Sequence, residues 1–228
     1  YGALEDNVKA FGQALLAQGL DKNDRVACYL PKQMETVTAI FGPAHAGGVF
    51  VPVNPGLKPR QVGYILQDCN VRFLVTSGDR LMGLKMELAA CADLKLIVVT
   101  GKMPAQAEGI ATETGKEIIS YEAFLTQGKA CDLLPHTVID TDITAILYTS
   151  GSTGMPKGVV LSHRNMIAGA ESVAAYLENT NEDVILSVLP LSFDAGLSQL
   201  TTAFFVGATV VLMNFLLPRD VIRQAAKH

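Results

Sequence analysis

Short apolar runs alternate with segments of helical periodicity along most of this 228-residue chain. The runs that begin at Arg25, Val49 and Val71 are mostly apolar and are followed by proline, asparagine or serine. Between these runs, apolar residues recur three and four positions apart. This alternation is typical of strands joined by crossover helices. The sequence therefore predicts an α/β fold with two sheets of largely parallel strands flanked by helices.

Individual elements can be placed from periodicity and turn residues. The predicted strands cover residues 25–30, 49–53, 71–76, 94–99, 143–149, 159–161, 184–189 and 210–213. The predicted helices cover residues 4–15, 34–41, 59–68, 81–90, 121–125 and 165–177, and a further helix ends at Gly207. Residues 103–115 lack periodicity, so we expect a surface excursion there. A connector over residues 134–142 divides the chain into two α/β halves, residues 1–140 and 141–228.

Composition excludes several classes of protein. Hydrophobic residues make up 49% of the chain and charged residues 18%, which is too apolar for a disordered segment. The net charge of -4 and the absence of tryptophan give no electrostatic or stacking case for nucleic acid as a partner. Two uncharged stretches, residues 36–57 and 195–218, are interrupted by proline, glycine and polar residues, so we expect no membrane span.

The four cysteines indicate neither a metal site nor a disulfide framework. They are widely spaced and contain no CxxC pair: Cys28, Cys69, Cys91 and Cys131. Reduced, mostly buried thiols are typical of a cytoplasmic protein, and no signal peptide is visible at Tyr1. We therefore expect a cytoplasmic protein without a metal site.

The segment from Tyr148 to Gly158 is the most informative part of the sequence. Seven glycine, serine or threonine residues and Lys157 follow an apolar run directly. Glycines let several backbone N–H groups converge on one anion, and a lysine neutralises phosphate oxygens. A plain Gly/Ser linker is the alternative, but a linker has no reason to carry strands on both sides. The spacing fits neither GxxxxGK[ST] nor GxGxxG, so the segment predicts a phosphate-binding loop of another kind.

This loop, with the sequence TSGSTGMPKG, resembles the signature of the AMP-forming adenylating superfamily, which includes acyl-CoA synthetases, amino-acid adenylation domains and luciferases. Other segments of the chain are similar to further motifs of that superfamily: YGAL at residue 1, AGGVFVPV at 46, LSHRN at 161 and LPLSFD at 189. The resemblance covers essentially the whole chain. It is closest to bacterial acyl-CoA ligases, including the sort associated with exosortase systems.

The resemblance implies an AMP-forming ligase that uses ATP, Mg²⁺ and either coenzyme A or a carrier pantetheine. Such enzymes convert a small carboxylic acid to an acyl-adenylate and then transfer the acyl group to a thiol. By the family pattern, Thr149, Ser150, Gly151, Thr153 and Lys157 contact the ATP phosphates, and Ser152 and Gly154 shape the loop. The family's later motifs are absent, which implies a fragment of a larger N-terminal domain. On that expectation the chain is inactive alone, and the remainder of its own chain is a partner.

Phe193, Asp194 and Gly196 fall where the family places its carboxylic-acid pocket. Fatty-acid members carry a histidine near here, whereas amino-acid members carry a Phe-Asp pair whose carboxylate binds the substrate ammonium. Asp194 has a second interpretation, because aspartate is a favoured N-cap and an apolar helix follows. An amino-acid adenylation domain of a peptide synthetase and a non-catalytic nucleotide-binding module therefore stay open as alternatives. His163, at a predicted helix start, is expected to bond the backbone and not to do chemistry.

Overall fold

The computed structural model describes residues 1–149, 156–215 and 217–227. The described helices are α1 (Gly2–Ala17), α2 (Met34–Ala46), α3 (Pro59–Asp68), α4 (Gly78–Leu88), α5 (Ala107–Thr114), α6 (Tyr121–Lys129), α7 (His163–Tyr176), α8 (Asp194–Val206) and α9 (Pro218–Ala225). The described strands are β1 (Arg25–Tyr29), β2 (Val49–Pro52), β3 (Val71–Ser77), β4 (Leu96–Thr100), β5 (Glu117–Ser120), β6 (Ile143–Thr149), β7 (Lys157–Ser162), β8 (Val184–Ser187) and β9 (Thr209–Leu212).

Seven of these strands form one sheet in the order β5-β4-β3-β1-β2-β6-β7. Every neighbouring pair in this sheet is parallel except β6 and β7, which are antiparallel. Strands β8 and β9 form a second, parallel sheet. The predicted α/β fold with two sheets of largely parallel strands is confirmed.

The large sheet is covered by helices on both faces. On one face, Phe11 and Leu15 of α1 and Phe124 of α6 pack with alternate residues of β1 and β3. On the other face, Ile65 of α3 and Leu81 of α4 pack with the intervening residues of the same strands. Strands buried on both faces have few polar positions, which is why the apolar runs were visible in the sequence.

Three segments differ from the sequence prediction. The stretch 103–115 contains α5, and β5 follows it as the edge strand of the large sheet. Helix α2 continues through Pro43 to Ala46 and ends where Gly47 adopts a φ of 90°. Helix α9 was not predicted, and it has no buried residue. In each case the local signal was weak because the element is amphipathic over only two turns or carries a breaker near its end.

Strands β6 and β7, from the second predicted half, add to the sheet of the first half. The division of the chain near residue 140 stays a prediction.

All four cysteines are free, three of them buried and Cys131 partly exposed. Within the described ranges, no group of three His, Cys, Asp or Glu residues could hold a metal ion. No helix of the described part is both long and apolar enough to cross a membrane.

Candidate functional site

The glycine-rich segment lies at the end of an antiparallel hairpin at the edge of the large sheet. Thr149, the last residue of β6, is paired in register with Lys157, the first residue of β7, and both are exposed. The other five predicted residues of the phosphate loop lie outside the described residues: the contacts Ser150, Gly151 and Thr153, and the loop-shaping residues Ser152 and Gly154. The described geometry therefore places a hydroxyl and an ammonium group side by side where the glycine-rich segment leaves and re-enters the sheet.

Gly158 is required by the way this hairpin packs. It lies opposite Tyr148, and a Cβ atom at Gly158 would come within 2.7 Å of the Ile146 side chain and 3.4 Å of the Tyr148 ring. A larger residue would therefore clash with the Ile146 side chain, whereas the Tyr148 ring lies at ordinary contact distance from that position. The glycine after Lys157, which in the sequence only excluded a Walker motif, thus lets β7 pack closely against Ile146 and Tyr148 of β6.

Phe193, Asp194 and Gly196 lie together at the start of α8. A Cβ atom at Gly196 would be 2.0 Å from the carbonyl oxygen of Pro190, so this turn of α8 sits directly against the preceding loop. The backbone N–H of Phe193 donates to the same oxygen at 3.2 Å. Glycine is thus needed here for packing, and the family pattern alone had suggested a substrate contact.

The interpretation of Asp194 as a helix cap is wrong. The N-cap position of α8 is occupied by Phe193, and no side-chain hydrogen bond caps this helix. Asp194 instead lies in the first turn and is exposed, as Phe193 is. Its carboxylate is therefore available to solvent or to a ligand, and the helix dipole favours a negative charge at that end.

The hairpin and the start of α8 share one hydrophobic cluster. Leu147 of β6 packs with Leu191 and Leu197, which flank the Phe193–Asp194 pair on either side. The end of β6 and the start of α8 are therefore fixed to the same core. The structure brings the two groups of predicted residues to one region of the molecule.

A cavity of about 210 Å³ lies beside this region, at the carboxyl ends of β1 and β2. Ligands of open α/β sheets bind at such an edge. Its polar lining includes Lys32, Asn214 and Ser192. The Ser192 hydroxyl is buried and has no hydrogen-bond partner among the described residues. Sequence reasoning missed these three residues, although Lys32 stands three residues after the end of β1, where a parallel strand typically presents its ligand contacts.

Lys32 joins the two sheets. Its ammonium group donates to the carbonyl oxygen of Ser187, the last residue of β8, at 2.8 Å and to that of Leu189 at 3.3 Å. The Asn214 side chain donates to the carbonyl oxygen of Lys32 at 2.8 Å. Partial burial lowers the pKa of Lys32. The lysine is therefore a structural tie between β1 and the second sheet at the floor of the cavity.

His163 differs from its prediction. Its backbone N–H donates to the carbonyl oxygen of Asp142, but the ring Nε2 is buried without a partner among the described residues. The ring lines an apolar cavity between α2, α7 and α8, and burial lowers its pKa below 6.5 while the Asp142 carboxylate opposes that shift. The ring is therefore neutral near pH 7, and its Nε2 makes no bond to the backbone of the described residues, while the expectation that His163 does no chemistry stays a prediction.

The fold is that of an α/β protein whose mostly parallel sheet carries the glycine-rich segment between its last two strands, β6 and β7. Residues 1–227 match the sequence model of the family described as AMP-binding enzyme. The chain belongs to this family.

Individual relatives agree with that assignment. A fatty acid–[acyl-carrier-protein] ligase, ScoC from Streptomyces coeruleorubidus, is 35% identical over 227 residues, which are 97% of this chain and 40% of that protein. Surfactin synthase subunit 1 from Bacillus subtilis is 25% identical over 99% of the chain and 5% of its own length. The anthranilate CoA ligase AuaEII, solved with anthranoyl-AMP, superposes with a TM-score of 0.85 at 25% identity, covering 98% of this chain and 42% of that one.

The chain thus spans less than half the length of these relatives. The resemblance to adenylating enzymes is confirmed, whereas the association with exosortase systems stays a prediction. The expected inactivity of the chain on its own also stays a prediction, as does its cytoplasmic location.

Proposed function

We propose that the protein is an AMP-forming acid–thiol ligase of the acyl-CoA synthetase type. In the first step, a carboxylate oxygen of the acid attacks the α-phosphorus of ATP, the bond to the bridging oxygen breaks and pyrophosphate leaves. In the second step, a thiolate attacks the acyl carbon and AMP leaves. The acceptor is the thiol of coenzyme A or of a carrier-bound pantetheine.

The observation that carries this proposal is the register of the hairpin. Thr149 and Lys157 are direct neighbours across β6 and β7, and the glycine-rich segment begins and ends there. Charge builds on the pyrophosphate during the first step, and an ammonium group fixed beside the phosphates stabilises that charge. Lys157 has this role in the proposal, and Thr149 together with Ser150, Gly151 and Thr153 supplies further donors.

The acid is assigned to the region at the start of α8. Phe193 and Asp194 are exposed there, and the neighbouring Ser192 lines the cavity with a hydroxyl that has no partner in the described part of the chain. The remaining cavity walls are mainly apolar, including Leu30 and Val53. Such a cavity accepts an apolar acyl group, and the buried hydroxyl favours a ligand that offers a hydrogen-bonding atom.

Magnesium enters this proposal together with ATP. The described residues contain no cluster of carboxylates and histidines that would hold a metal ion by itself. Mg²⁺ commonly keeps several waters and binds through substrate phosphates, so the phosphates of ATP are its principal ligands here. When bound, the ion supplies positive charge to the β- and γ-phosphates.

A second candidate is the adenylation of an amino acid. The exposed carboxylate of Asp194, which does not cap α8, favours it, because this group could pair with a substrate ammonium. The surfactin synthase relative is consistent with it. The two candidates share the first step and differ in whether the acid carries an amino group.

The proposal is tested by ATP–pyrophosphate exchange with the protein expressed from its complete reading frame. Matched acids with and without an α-amino group are compared, and the leading candidate predicts exchange with plain carboxylic acids. Preference for the amino-bearing member of each pair would favour the second candidate. Exchange with no acid, combined with measurable ATP binding, would leave only a non-catalytic nucleotide-binding module.

Lys157→Ala tests the role of the hairpin in this assay. Loss of a charge-assisted contact to the leaving group costs about 1.5–3 kcal/mol, so exchange falls roughly ten- to a hundred-fold. The free energy of unfolding changes by less than about 0.5 kcal/mol because the side chain is exposed. The matched control is Lys95→Ala, an exposed lysine next to β4 and far along the sheet from the hairpin. Equal exchange rates in the two variants would remove Lys157 from the site.

A further inference from the structure

Two tyrosines and one aspartate connect the base of the glycine-rich hairpin to helix α3. The hydroxyl of Tyr148, on β6, donates to Oδ2 of Asp68 at 2.6 Å. The hydroxyl of Tyr64 lies 3.2 Å from Oδ1 of Asp68 and 3.4 Å from the carbonyl oxygen of Pro156, so its single proton can go to either. We call Tyr64, Asp68 and Tyr148 the tyrosine clamp.

The clamp contacts the chain on both sides of the glycine-rich segment. Tyr148 immediately precedes Thr149, and Pro156 immediately precedes Lys157. The two strand ends that carry the predicted phosphate contacts are thus tied to one carboxylate. A hydrogen bond to an ionised carboxylate is shorter and stronger than one between neutral groups, and the 2.6 Å distance agrees with that.

The Tyr148 side chain has little freedom to move. Only 9% of it is exposed, and its ring packs over Gly158 on the opposite strand. Burial and the bond to Asp68 raise the pKa of Tyr148, so the hydroxyl keeps the proton that it donates. The position of this hydroxyl therefore fixes the end of β6 relative to Asp68.

Helix α3 is itself anchored at the end that carries Asp68. The guanidinium group of Arg25, at the start of β1, donates to the carbonyl oxygen of Cys69 at 2.7 Å and to that of Asn70 at 2.8 Å. A cation at these carbonyls also complements the negative end of the helix dipole. The clamp therefore connects the edge hairpin to the centre of the parallel sheet, although β2 and β6 share only one paired position, Phe50 with Ala145.

We propose that Asp68, acting through Tyr148 and Tyr64, holds Thr149 and Lys157 in the position in which they bind the ATP phosphates. Asp68 touches no substrate in this proposal, so it is a positioning residue. The inference rests on the proposed function, and it adds a residue on α3 that neither the loop sequence nor the family motif includes. Its specific consequence is that loss of the clamp weakens the use of ATP and leaves the use of the acid unchanged.

Tyr148→Phe is the principal test because it removes one hydroxyl and keeps the ring over Gly158. In ATP–pyrophosphate exchange we expect KM for ATP to rise about ten-fold, equivalent to ~1.4 kcal/mol, with KM for the acid unchanged. Calorimetric titration with MgATP should show a similar loss of affinity. The matched control is Tyr29→Phe, which removes the hydroxyl of another buried tyrosine, one that donates to the Leu57 carbonyl oxygen at 2.9 Å and not to Asp68 or the hairpin.

Asp68 supplies a second, milder test. Its side chain is exposed, so substitutions there should leave the fold intact, as circular dichroism can verify. Asp68→Ala removes the bonds to both tyrosines, so it should lose at least as much ATP affinity as Tyr148→Phe, whereas Asp68→Asn should recover part of that affinity because its amide oxygen still accepts a proton. The double variant Asp68→Ala/Tyr148→Phe should be no worse than Asp68→Ala alone, since that single variant already removes the bond to Tyr148.

Three results would overturn the clamp. Tyr148→Phe could behave like Tyr29→Phe, KM for the acid could rise as much as KM for ATP, or the losses in the double variant could add. Failure of the proposed function is a separate outcome, because the unmodified protein would then show no exchange with any acid, and the clamp would fail with it. If the unmodified protein shows exchange and Tyr148→Phe leaves KM for ATP unchanged, the clamp is refuted and the proposed function is not.

Discussion

Substitution of Gly196 by alanine offers a direct measure of how closely α8 approaches the loop before it. The new Cβ atom would lie 2.0 Å from the Pro190 carbonyl oxygen, whereas ordinary contact begins near 3.4 Å. The helix start must therefore move by about 1.4 Å, and the neighbour is backbone, which cannot rotate away. Overpacking of this kind costs up to ~3 kcal/mol.

Two smaller contributions modify this value. The Phe193 N–H donates to the same Pro190 oxygen, and the loss of that hydrogen bond costs about 1 kcal/mol. Alanine is the better helix former by about 1 kcal/mol, which offsets the loss. We therefore expect Gly196→Ala to lower the free energy of unfolding by about 3 kcal/mol, measured by urea denaturation. Because Phe193 and Asp194 move with the helix start, KM for the acid should rise in the protein that remains folded.

Gly169→Ala is the matched control for this experiment. Gly169 lies within α7, is exposed, and has no atom within 4 Å of the position a Cβ would occupy. Alanine there should stabilise the protein by about 0.5–1 kcal/mol. The reasoning is refuted if Gly196→Ala changes stability by less than about 0.5 kcal/mol while Gly169→Ala stabilises as expected.

Two further variants test the charges near the site. Asp194→Asn should lower the free energy of unfolding by about 0.3–1 kcal/mol, because the helix dipole favours a negative charge there. The ratio of exchange rates for matched acids should not change. If transition-state stabilisation is instead lost only with amino-bearing acids, by about 2–5 kcal/mol, the second candidate is established. His163→Gln should reduce the loss of stability in acid, because burial holds the His163 pKa below 6.5 and the unfolded chain therefore binds more protons as pH falls through that range. Urea unfolding at about pH 7.5 and about pH 5.5 measures this difference, and equal losses in both proteins would contradict it.

Long, buried elements could be predicted from the sequence, and short peripheral ones could not. Helix α3 occurs at the predicted bounds, because its apolar stripe at Val62, Ile65 and Leu66 faces the sheet. Helix α5 has only Ala107 and Ile110 buried, so eight residues carry too little periodicity to distinguish it from a loop. Strand β5 is only partly buried even at Ile118 and Ile119, which is why its pattern was weak.

Some residues of the candidate site could likewise be predicted from the sequence, and others could not. Residues whose chemistry depends on a contiguous motif, such as Thr149 and Lys157, were found because glycine, hydroxyl and lysine occur together in the sequence. Residues that depend on tertiary contact were missed. Asp68 lies 80 positions before its partner Tyr148, and no local pattern connects a helix end to a distant strand.

The fold also explains why a helix start does not take the place of Lys157. In many phosphate-binding proteins the first turn of a following helix supplies free N–H groups and a partial positive charge. Helix α7 begins at the opposite end of β7 from the glycine-rich segment, where Ser162 is paired with Ile143. Its first donors are also used: the N–H of His163 bonds to Asp142, that of Arg164 to Asp140 and that of Asn165 to the Ser162 hydroxyl. This helix start therefore cannot bind an anion at the hairpin, which is why the proposal gives that role to Lys157 and expects the Tyr148 hydroxyl, which fixes the neighbouring strand, to affect the use of ATP.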